Sequence, residues 1–225
     1  MSALVLAIRP EPGCSETATA GRALGLPVEP CPLFEIRDVA WDTPALEHID
    51  ALLLGSVNAV RHGGPALEAF RAKPVYAVGD ATAEAAEAAG FTIAASGRGG
   101  LQPLLDTLSG PLRLFRLAGA EHVPLAPPLG VEIETRIAYE SVPLALPAAM
   151  AERLGGGALV LLHSAAAARH FGAECERLGV SRGAVALAAL GPRVAAAAGD
   201  GWRLVRSAAE PREAALLALA REMCQ

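Results

Sequence analysis

The stretch Lys73–Phe91, KPVYAVGDATAEAAEAAGF, indicates a strand, a tight turn and a helix in immediate succession. Val75–Val78 is a short apolar run typical of a buried strand. Gly79 permits a sharp turn, and the side-chain oxygens of Asp80 and Thr82 can accept hydrogen bonds from the free N–H groups that begin a helix. Such a turn suits an anionic ligand, because it points backbone N–H groups and a helix dipole beyond the sheet. The alternative is a capped structural helix without a ligand.

The same pattern occurs again later in the chain. Ala184–Trp202 repeats the strand, the glycine turn and the alanine-rich helix, with Gly191 in the place of Gly79. Two further pairs of stretches match in order: Ala51–His62 with Ala158–His170, and Phe91–Leu108 with Trp202–Ala220. An internal repeat of this length predicts two copies of one α/β unit.

Length, composition and charge narrow the class of protein. The chain has 225 residues, of which 52% are hydrophobic, so it can form one large domain or two ordinary ones. A net charge of −5 and a pI near 5.6 argue against a nucleic-acid partner. No apolar run approaches the ~18–20 residues of a membrane span, and Met1–Pro10 is typical of a first strand rather than a signal peptide. We therefore expect a cytoplasmic protein.

The sequence contains no recognisable metal or cofactor motif. Its four cysteines and five histidines lack the spacings of a disulfide framework or a metal site. The glycine-rich loop Ser96–Gly100 has neither the Lys-Ser/Thr of a P-loop nor the spacing of a dinucleotide fingerprint. No nucleophile and base pair, carboxylate pair or cofactor lysine stands out. We expect no metal and no cofactor.

Strands that alternate with helices predict parallel sheets covered on both faces. The fold class is therefore α/β, with two similar, flavodoxin-like parallel-sheet domains. The proline-rich stretch Pro27–Ile36 and the alternating stretch Val131–Val142 occupy matching places in the two copies, and both are candidates for strands that join the domains. The repeats by themselves allow two contiguous halves as well.

Ligands of parallel sheets gather beyond the carboxyl ends of the strands. Arg116 is expected to occupy in the second copy the place that Arg9 occupies in the first. Each hydroxyl at such a position can cap its helix, contact a ligand, or do both. The side chains expected at the strand ends are Arg9, Ser56, Asn58, Thr82, Arg116, Ser164 and Arg193.

Taken together, the order and spacing of six short motifs resemble the uroporphyrinogen-III synthase family over nearly the whole chain. The motifs are Ile8–Pro10, Ala51–Val60, Ala77–Ala83, Gly99–Leu105, Ile137–Pro143 and Leu162–Ser164. The resemblance implies that the chain passes twice between its domains. Domain 1 would contain residues 1–35 and 144–225, domain 2 would contain residues 36–143, and linker strands would lie near 28–38 and 131–143.

The family resemblance also implies a reaction. Hydroxymethylbilane, a linear tetrapyrrole with eight carboxylates, is closed to uroporphyrinogen III with loss of water and inversion of ring D, without a metal or coenzyme. Tyr139 matches the family's linker tyrosine, whose hydroxyl can protonate the departing hydroxide because an ordinary phenol is protonated at pH 7. The substrate-binding residues implied are Arg9, Ser56, Asn58, Thr82, Arg116 and Ser164.

The sequence departs from the family pattern in two places. Val194 stands where many members have threonine, and His163 precedes Ser164 where a threonine is common, so one substrate-facing hydroxyl is expected to be missing. The alternative function is a non-enzymatic, two-domain protein that binds or senses a small anion. Such a protein would not need a phenol in the linker, so Tyr139 separates the two hypotheses. We expect a monomer whose only partner is the substrate.

Overall fold

The structure is a computed structural model that describes residues 4–224, and the chain divides into two compact units. The first unit contains the residues up to Glu35 and those from Val142 onward, and the second is Ile36–Ser141. The second unit is therefore inserted into the first, so that the chain passes between the units twice.

Strands and helices alternate along most of the chain. The strands are β1 (Leu4–Ala7), β2 (Val28–Pro30), β3 (Phe34–Asp38), β4 (Ala51–Leu54), β5 (Val75–Val78), β6 (Ile93–Gly97), β7 (Leu112–Gly119), β8 (Val131–Pro143), β9 (Ala158–Leu162), β10 (Val185–Ala189) and β11 (Leu204–Ser207). The helices are α1 (Gly13–Ala23), α2 (Val57–Arg61), α3 (Asp80–Ala88), α4 (Leu101–Leu105), α5 (Ala148–Leu154), α6 (Ala165–Arg177), α7 (Pro192–Ala197) and α8 (Glu213–Met223). Short 3-10 turns occupy Leu46–His48, Pro65–Phe70 and Arg182–Ala184.

The first unit contains a five-stranded parallel sheet in the order β11-β10-β9-β1-β2. Counted in chain order, this is the flavodoxin-like arrangement 2-1-3-4-5, whose order reverses between β1 and β9. The central strands are buried on both faces: Leu6 and Val160 belong to one apolar cluster, and Val5 and Leu159 to the opposite one. Continuous apolar runs form such strands because helices cover both sides of the sheet.

The second unit contains a six-stranded sheet in the order β3-β8-β7-β4-β5-β6. If β7 is numbered as strand 1, β8 as strand 2, and β4, β5 and β6 as strands 3, 4 and 5, these five strands again have the order 2-1-3-4-5. The strand order therefore reverses between β7 and β4. A stack of Trp41, Phe70 and Phe115 fills one side, with 4.8 Å between the ring centroids of the two phenylalanines. The predicted fold class, two similar parallel-sheet α/β domains, is confirmed.

The predicted extended segment around 28–38 is two strands instead of one. β2 pairs with β1 in the first sheet, whereas β3 lies at the edge of the second sheet. Pro30 and Pro32 explain the interruption, because a proline has no N–H to donate to a neighbouring strand. β3 and β8 each cross one of the two divisions between the units.

Candidate active site

The polar residues of the second unit collect where β4, β5 and β7 end, beside the reversal of strand order at which open α/β sheets bind ligands. Ser56 begins α2 after β4, and its Oγ accepts a hydrogen bond from the Asn58 backbone N–H at 3.1 Å. In the first unit, Ser164 begins α6 after β9, and its Oγ accepts from Ala167 N–H at 3.0 Å. Both serines therefore cap their helices, and each hydroxyl retains its own proton for a ligand.

The turn after β5 differs from its predicted capping. Gly79 itself takes the position before the helix, with φ of 85°, so Asp80 and Thr82 already lie inside α3 and cannot cap it. Asp80 pairs with Arg98 at 3.0 Å instead. Thr82 is only 4% exposed, and its hydroxyl makes no hydrogen bond with the residues that the structure describes. A hydroxyl that has no protein partner and lies beside free helix N–H groups is well suited to bind an anion.

Tyr139 lies at the same edge of the sheet because β8 is irregular there. Ile137 pairs with Ala118, and the next paired residue is Tyr139, opposite Gly119, so Ala138 is an additional residue in β8. Bulges of this kind redirect a side chain. The Tyr139 ring rests on Gly119, where an added Cβ would come within 2.6 Å of the ring.

The Tyr139 side chain is half-buried, and its hydroxyl has no hydrogen-bond partner among residues 4–224. The ring contacts the His62 imidazole, with 5.9 Å between their centroids. His62 follows α2, and its Nδ1 lies 2.6 Å from Asp38 Oδ1. The second unit therefore places a free phenol beside a histidine that a carboxylate holds in position.

Arg116 is not at a strand end, and the expectation that it occupies the place of Arg9 is wrong. In the first unit, Leu6 pairs with Val160, which lies four residues before Ser164. In the second unit, Phe115 pairs with Leu52, which lies four residues before Ser56, so Phe115 is the equivalent of Leu6. Arg116 consequently occupies the place of Ala7, inside the strand. The expectation failed because β7 continues through Gly119, three residues beyond Arg116, by pairing with β8.

Arg116 is only 6% exposed, and its Nη1 donates to the Val123 carbonyl at 3.0 Å. Its Nε is buried without a partner, and none of the described carboxylates pairs with it. Burial lowers the pKa of the Arg116 guanidinium, and its attraction to the Tyr139 oxygen partly offsets that effect. Arg116 thus supplies a buried positive charge near Tyr139.

In the first unit, the strand-end polar groups are connected to one another. Glu213 Oε2 accepts from Arg9 Nη1 at 3.3 Å and lies 3.0 Å from His163 Nε2. Glu213 Oε1 accepts from the Thr17 hydroxyl at 2.7 Å. The Arg9 guanidinium lies over Gly13, where a Cβ would approach its Nε to 2.5 Å.

The pKa of Glu213 reflects this network. Burial acts to raise it, but the hydrogen bonds from His163 and Thr17 and the charge of Arg9 together hold the pKa below its ordinary value. His163 Nδ1 is buried without a partner among the described residues. The edge of the first unit therefore holds a fixed carboxylate whose oxygens already contact Arg9, Thr17 and His163. Arg193 lies exposed at the start of α7.

Sequence reasoning missed five residues of these arrangements: Asp38, His62, Gly119, Thr17 and Glu213. The internal repeat contained a signal for His62, because Arg61 and His62 match Arg169 and His170. His170 serves its own unit structurally, with Nε2 2.8 Å from the Leu144 carbonyl oxygen, and its ring packs against Phe34. A histidine repeated at equivalent positions therefore serves two different purposes.

Within residues 4–224, no cluster of three metal-ligating side chains occurs. Nor does this part of the chain contain a helix whose length and apolar character would let it cross a membrane. Cys14, Cys31, Cys175 and Cys224 are all free thiols. Burial raises the pKa of Cys14 and of Cys175 to about 11, so both behave as small apolar core residues.

Solved structures of uroporphyrinogen-III synthases resemble the chain over nearly its whole length. Uroporphyrinogen-III synthetase from Helicobacter pylori has a TM-score of 0.66 at 16% identity, covering 98% of this chain and 99% of its own. A mutant uroporphyrinogen III synthase from the extremely thermophilic bacterium Thermus thermophilus has a TM-score of 0.54 at 18% identity, covering 98% of this chain and 99% of its own. At these identities, the likeness shows a shared fold. No curated protein sequence matches the chain.

The family assignment comes from the sequence itself. A family profile described as uroporphyrinogen-III synthase HemD matches residues 15–218, which include the second unit, most of the first unit and the strands β3 and β8 that connect them. Every strand except β1 and every strand-end residue discussed above except Arg9 lie within that range. The chain therefore belongs to the uroporphyrinogen-III synthase family.

Proposed function

We propose that the chain closes hydroxymethylbilane to uroporphyrinogen III and that Tyr139 donates the proton with which the hydroxyl group departs as water. Membership of the family makes the chain a cyclising lyase of haem biosynthesis. The observation that carries the assignment of Tyr139 is its half-buried, unpartnered hydroxyl at the carboxyl edge of the second sheet. A proton donor must reach the leaving group directly, and a phenol tied to a protein acceptor would be less able to do so.

The proposed reaction balances without a metal or coenzyme. The Tyr139 O–H proton passes to the departing hydroxide as the C–O bond breaks, which gives water, a phenolate and a cationic azafulvene. Ring D attacks that carbon, rearranges through a spiro intermediate and finally loses a proton, which restores the aromatic pyrrole. An azafulvene forms readily, so most of the protein's contribution is positioning and control of ring orientation.

The carboxylates of the substrate require hydrogen-bond donors. In the second unit, Thr82 offers its unpartnered hydroxyl beside the first N–H groups of α3, and Ser56 and Asn58 lie at the end of the neighbouring β4. In the first unit, we assign Ser164 and the remaining N–H groups of Arg9 to further carboxylates. Donors of these kinds allow a net acidic protein to bind a polyanion. Arg116 is too deeply buried to belong to this set.

We also propose a cytoplasmic monomer. Three of the four cysteines are buried free thiols, which a reducing compartment preserves. Among the described residues, strongly exposed large apolar side chains are scattered over four positions, Leu24, Val123, Leu129 and Leu204. Scattered apolar residues are normal on a monomer, whereas a permanent interface presents a contiguous patch. Light scattering across a range of protein concentrations tests the monomer, and a concentration-independent dimer mass would contradict it.

The activity is tested by supplying hydroxymethylbilane enzymatically and separating the uroporphyrinogen isomers. We expect the parent protein to produce the type III isomer. Tyr139→Phe should retain the fold and KM but reduce the rate of closure by ~10²–10⁴. It should also release a larger share of type I product, because free hydroxymethylbilane closes without inversion. Tyr76→Phe is the matched control, since Tyr76 is the chain's other tyrosine and lies in β5.

The same measurements separate this proposal from the anion-binding alternative. A protein that binds hydroxymethylbilane but leaves the isomer ratio unchanged from the uncatalysed reaction would have only a binding function. The family assignment favours the enzyme. If Tyr139→Phe matched the parent in both rate and isomer ratio, another group would be the proton donor, while the cyclase activity itself would stand.

A further inference from the structure

The His62 imidazole packs against the Tyr139 ring, but the reaction proposed above does not use it. Its position is fixed on two sides. The His62 backbone N–H donates to the Asn58 carbonyl at 2.9 Å, which attaches it to the end of α2. Its imidazole Nδ1 lies 2.6 Å from the Asp38 carboxylate, which orients the ring. The next residue, Gly63, accepts a hydrogen bond from Trp41 Nε1 at 3.1 Å, so the backbone that follows is held as well.

From this geometry, we propose that His62, oriented by Asp38, positions Tyr139 and returns to its oxygen the proton that the reaction removes. The inference rests on the proposed function of Tyr139 as proton donor. It assigns two tasks to His62: its ring holds the Tyr139 ring in position, and its Nε2 takes up the proton that ring D releases and returns it to Tyr139.

The contacts decide which nitrogen can act. Because Nδ1 points to the Asp38 carboxylate, that nitrogen carries the hydrogen, and Nε2 is left as the second functional atom. Nε2 makes no hydrogen bond with the described residues, and the His62 side chain is 23% exposed, so this nitrogen is available to the Tyr139 side or to one water molecule. A base held by a carboxylate on its far nitrogen is the general arrangement for moving a proton at a hydroxyl group.

The proton balance gives the pair a defined task. When Tyr139 protonates the departing hydroxide, its oxygen is left as a phenolate. When ring D regains its aromaticity, it releases one proton. His62 Nε2 accepts that proton and passes it to the phenolate, so that both side chains return to their starting states and the net change is only the loss of water from the substrate.

The charges around Tyr139 fit this cycle. The buried Arg116 guanidinium from β7 stabilises the transient phenolate, because no carboxylate of the described residues neutralises it. Asp38 from β3 stabilises a protonated His62. His122, in the loop after β7, is bound through Nδ1 to the Gly119 carbonyl at 3.0 Å, and Arg61 on α2 is exposed. Asp38 is therefore the carboxylate that directly contacts the imidazole.

The test uses His62→Gln, with His48→Gln as the matched control, since His48 is an exposed histidine of the same unit. We expect His62→Gln to lower kcat about 10-fold, less than a general acid's full contribution because solvent can slowly return the proton. KM should be unchanged. The pH dependence of kcat should change, because the variant lacks the imidazole. His48→Gln should alter neither kcat nor the profile.

Two further variants distinguish a relay from a structural role. In a Tyr139→Phe background, His62→Gln should cause no additional loss, because the two side chains act in one step. Asp38→Asn should also lower kcat, and because the Asp38 side chain is 79% exposed, it should not lower the unfolding midpoint. If His62→Gln folds poorly, the kcat of Asp38→Asn tests the proposed relay in its place.

The inference would be overturned if His62→Gln and Asp38→Asn kept the parent kcat and pH profile, or if the losses from His62→Gln and Tyr139→Phe multiplied. A failure of the proposed function is visible separately. In that case the parent would form no type III product, or Tyr139→Phe alone would be fully active.

Discussion

The two units have the same strand order but use their polar groups in opposite ways. In the first unit, Glu213 accepts hydrogen bonds from Arg9 and Thr17 and contacts His163, so the strand-end charges satisfy one another. In the second unit, the hydroxyls of Thr82 and Tyr139 have no partner among the described residues. A satisfied network stabilises and positions, whereas an unsatisfied donor is available to a substrate. This difference supports our proposal that proton transfer takes place in the second unit.

The glycines at the two edges offer the strongest test of this difference. Gly119→Ala would place a Cβ 2.6 Å from the Tyr139 ring and displace it, whereas nothing lies within 4 Å of a Cβ at Gly191 in the first unit. Displacing a reacting group by about 1 Å can cost about 100-fold in rate. We expect Gly119→Ala to lower kcat by about that factor and Gly191→Ala to leave it unchanged. Equal kcat values in single-turnover experiments would show that the proximity of Tyr139 to Gly119 has no catalytic importance.

A second test removes a carboxylate that serves only the fold of the first unit. Glu174 in α6 accepts from Arg177, and its Oε2 accepts from Leu146 N–H at 2.6 Å. The Arg177 hydrogen bond, opposed by burial and aided by the Leu146 N–H, lowers the pKa of Glu174 from 4.5 to about 2. Glu174→Gln should reduce the free energy of unfolding by about 1–3 kcal/mol, with kcat unchanged. Glu152→Gln, on the exposed side of α5, is the control.

The pH dependence of this effect follows from the direction of the shift. Because the folded-state pKa is the lower one, the unfolded chain binds more protons at moderately acidic pH. The contribution of Glu174 is therefore complete above about pH 4.5 and is lost as the pH falls towards 2. Denaturant titrations of the parent and Glu174→Gln should converge over that interval. A difference that stayed constant with pH would contradict the assignment.

The smallest expected effect concerns the equivalent turns of the two units. Thr82 N–H donates to Gly79 O at 3.0 Å, and Val194 N–H donates to Gly191 O at the same distance, so the two residues hold matching positions. Thr82→Ala should raise KM about twofold, because the neighbouring backbone N–H groups still bind the carboxylate, and one neutral hydrogen bond contributes only about 0.5–1.5 kcal/mol. Val194→Thr should lower KM by a similar factor. An unchanged KM in both variants would remove these turns from the binding site.

Local features of the sequence predicted much of the fold correctly. The bounds of β5 and the helix starts at Ser56 and Ser164 agree with expectation, because short apolar runs and N-terminal capping residues act over a few positions. The prediction that Asp80 caps α3 is wrong, and the reason is equally local. Gly79 takes the capping position, which shifts Asp80 by one residue into the helix and leaves its carboxylate free to pair with Arg98.

The candidate site was less predictable, because its contacts join residues that are distant in sequence. Arg116 was misplaced since the end of β7 depends on how far β8 pairs with it. Nothing near His62 in the sequence indicates that Asp38 and Tyr139 would reach it from two other strands. Glu213 was likewise overlooked, because its partners Arg9, Thr17 and His163 come from three separate elements.

By itself, the sequence determined that this protein contains two copies of an α/β unit, with small polar side chains where the strands end. Repeated apolar runs, glycine turns and helix starts encode those features locally, and their order carries the family resemblance. Only the tertiary structure decided which polar groups are satisfied and which are free. Strand register, the additional residue Ala138 in β8 and the approach of α2 place the Tyr139 phenol beside His62. Such contacts depend on how segments pack after the chain has folded, and no local pattern specifies them.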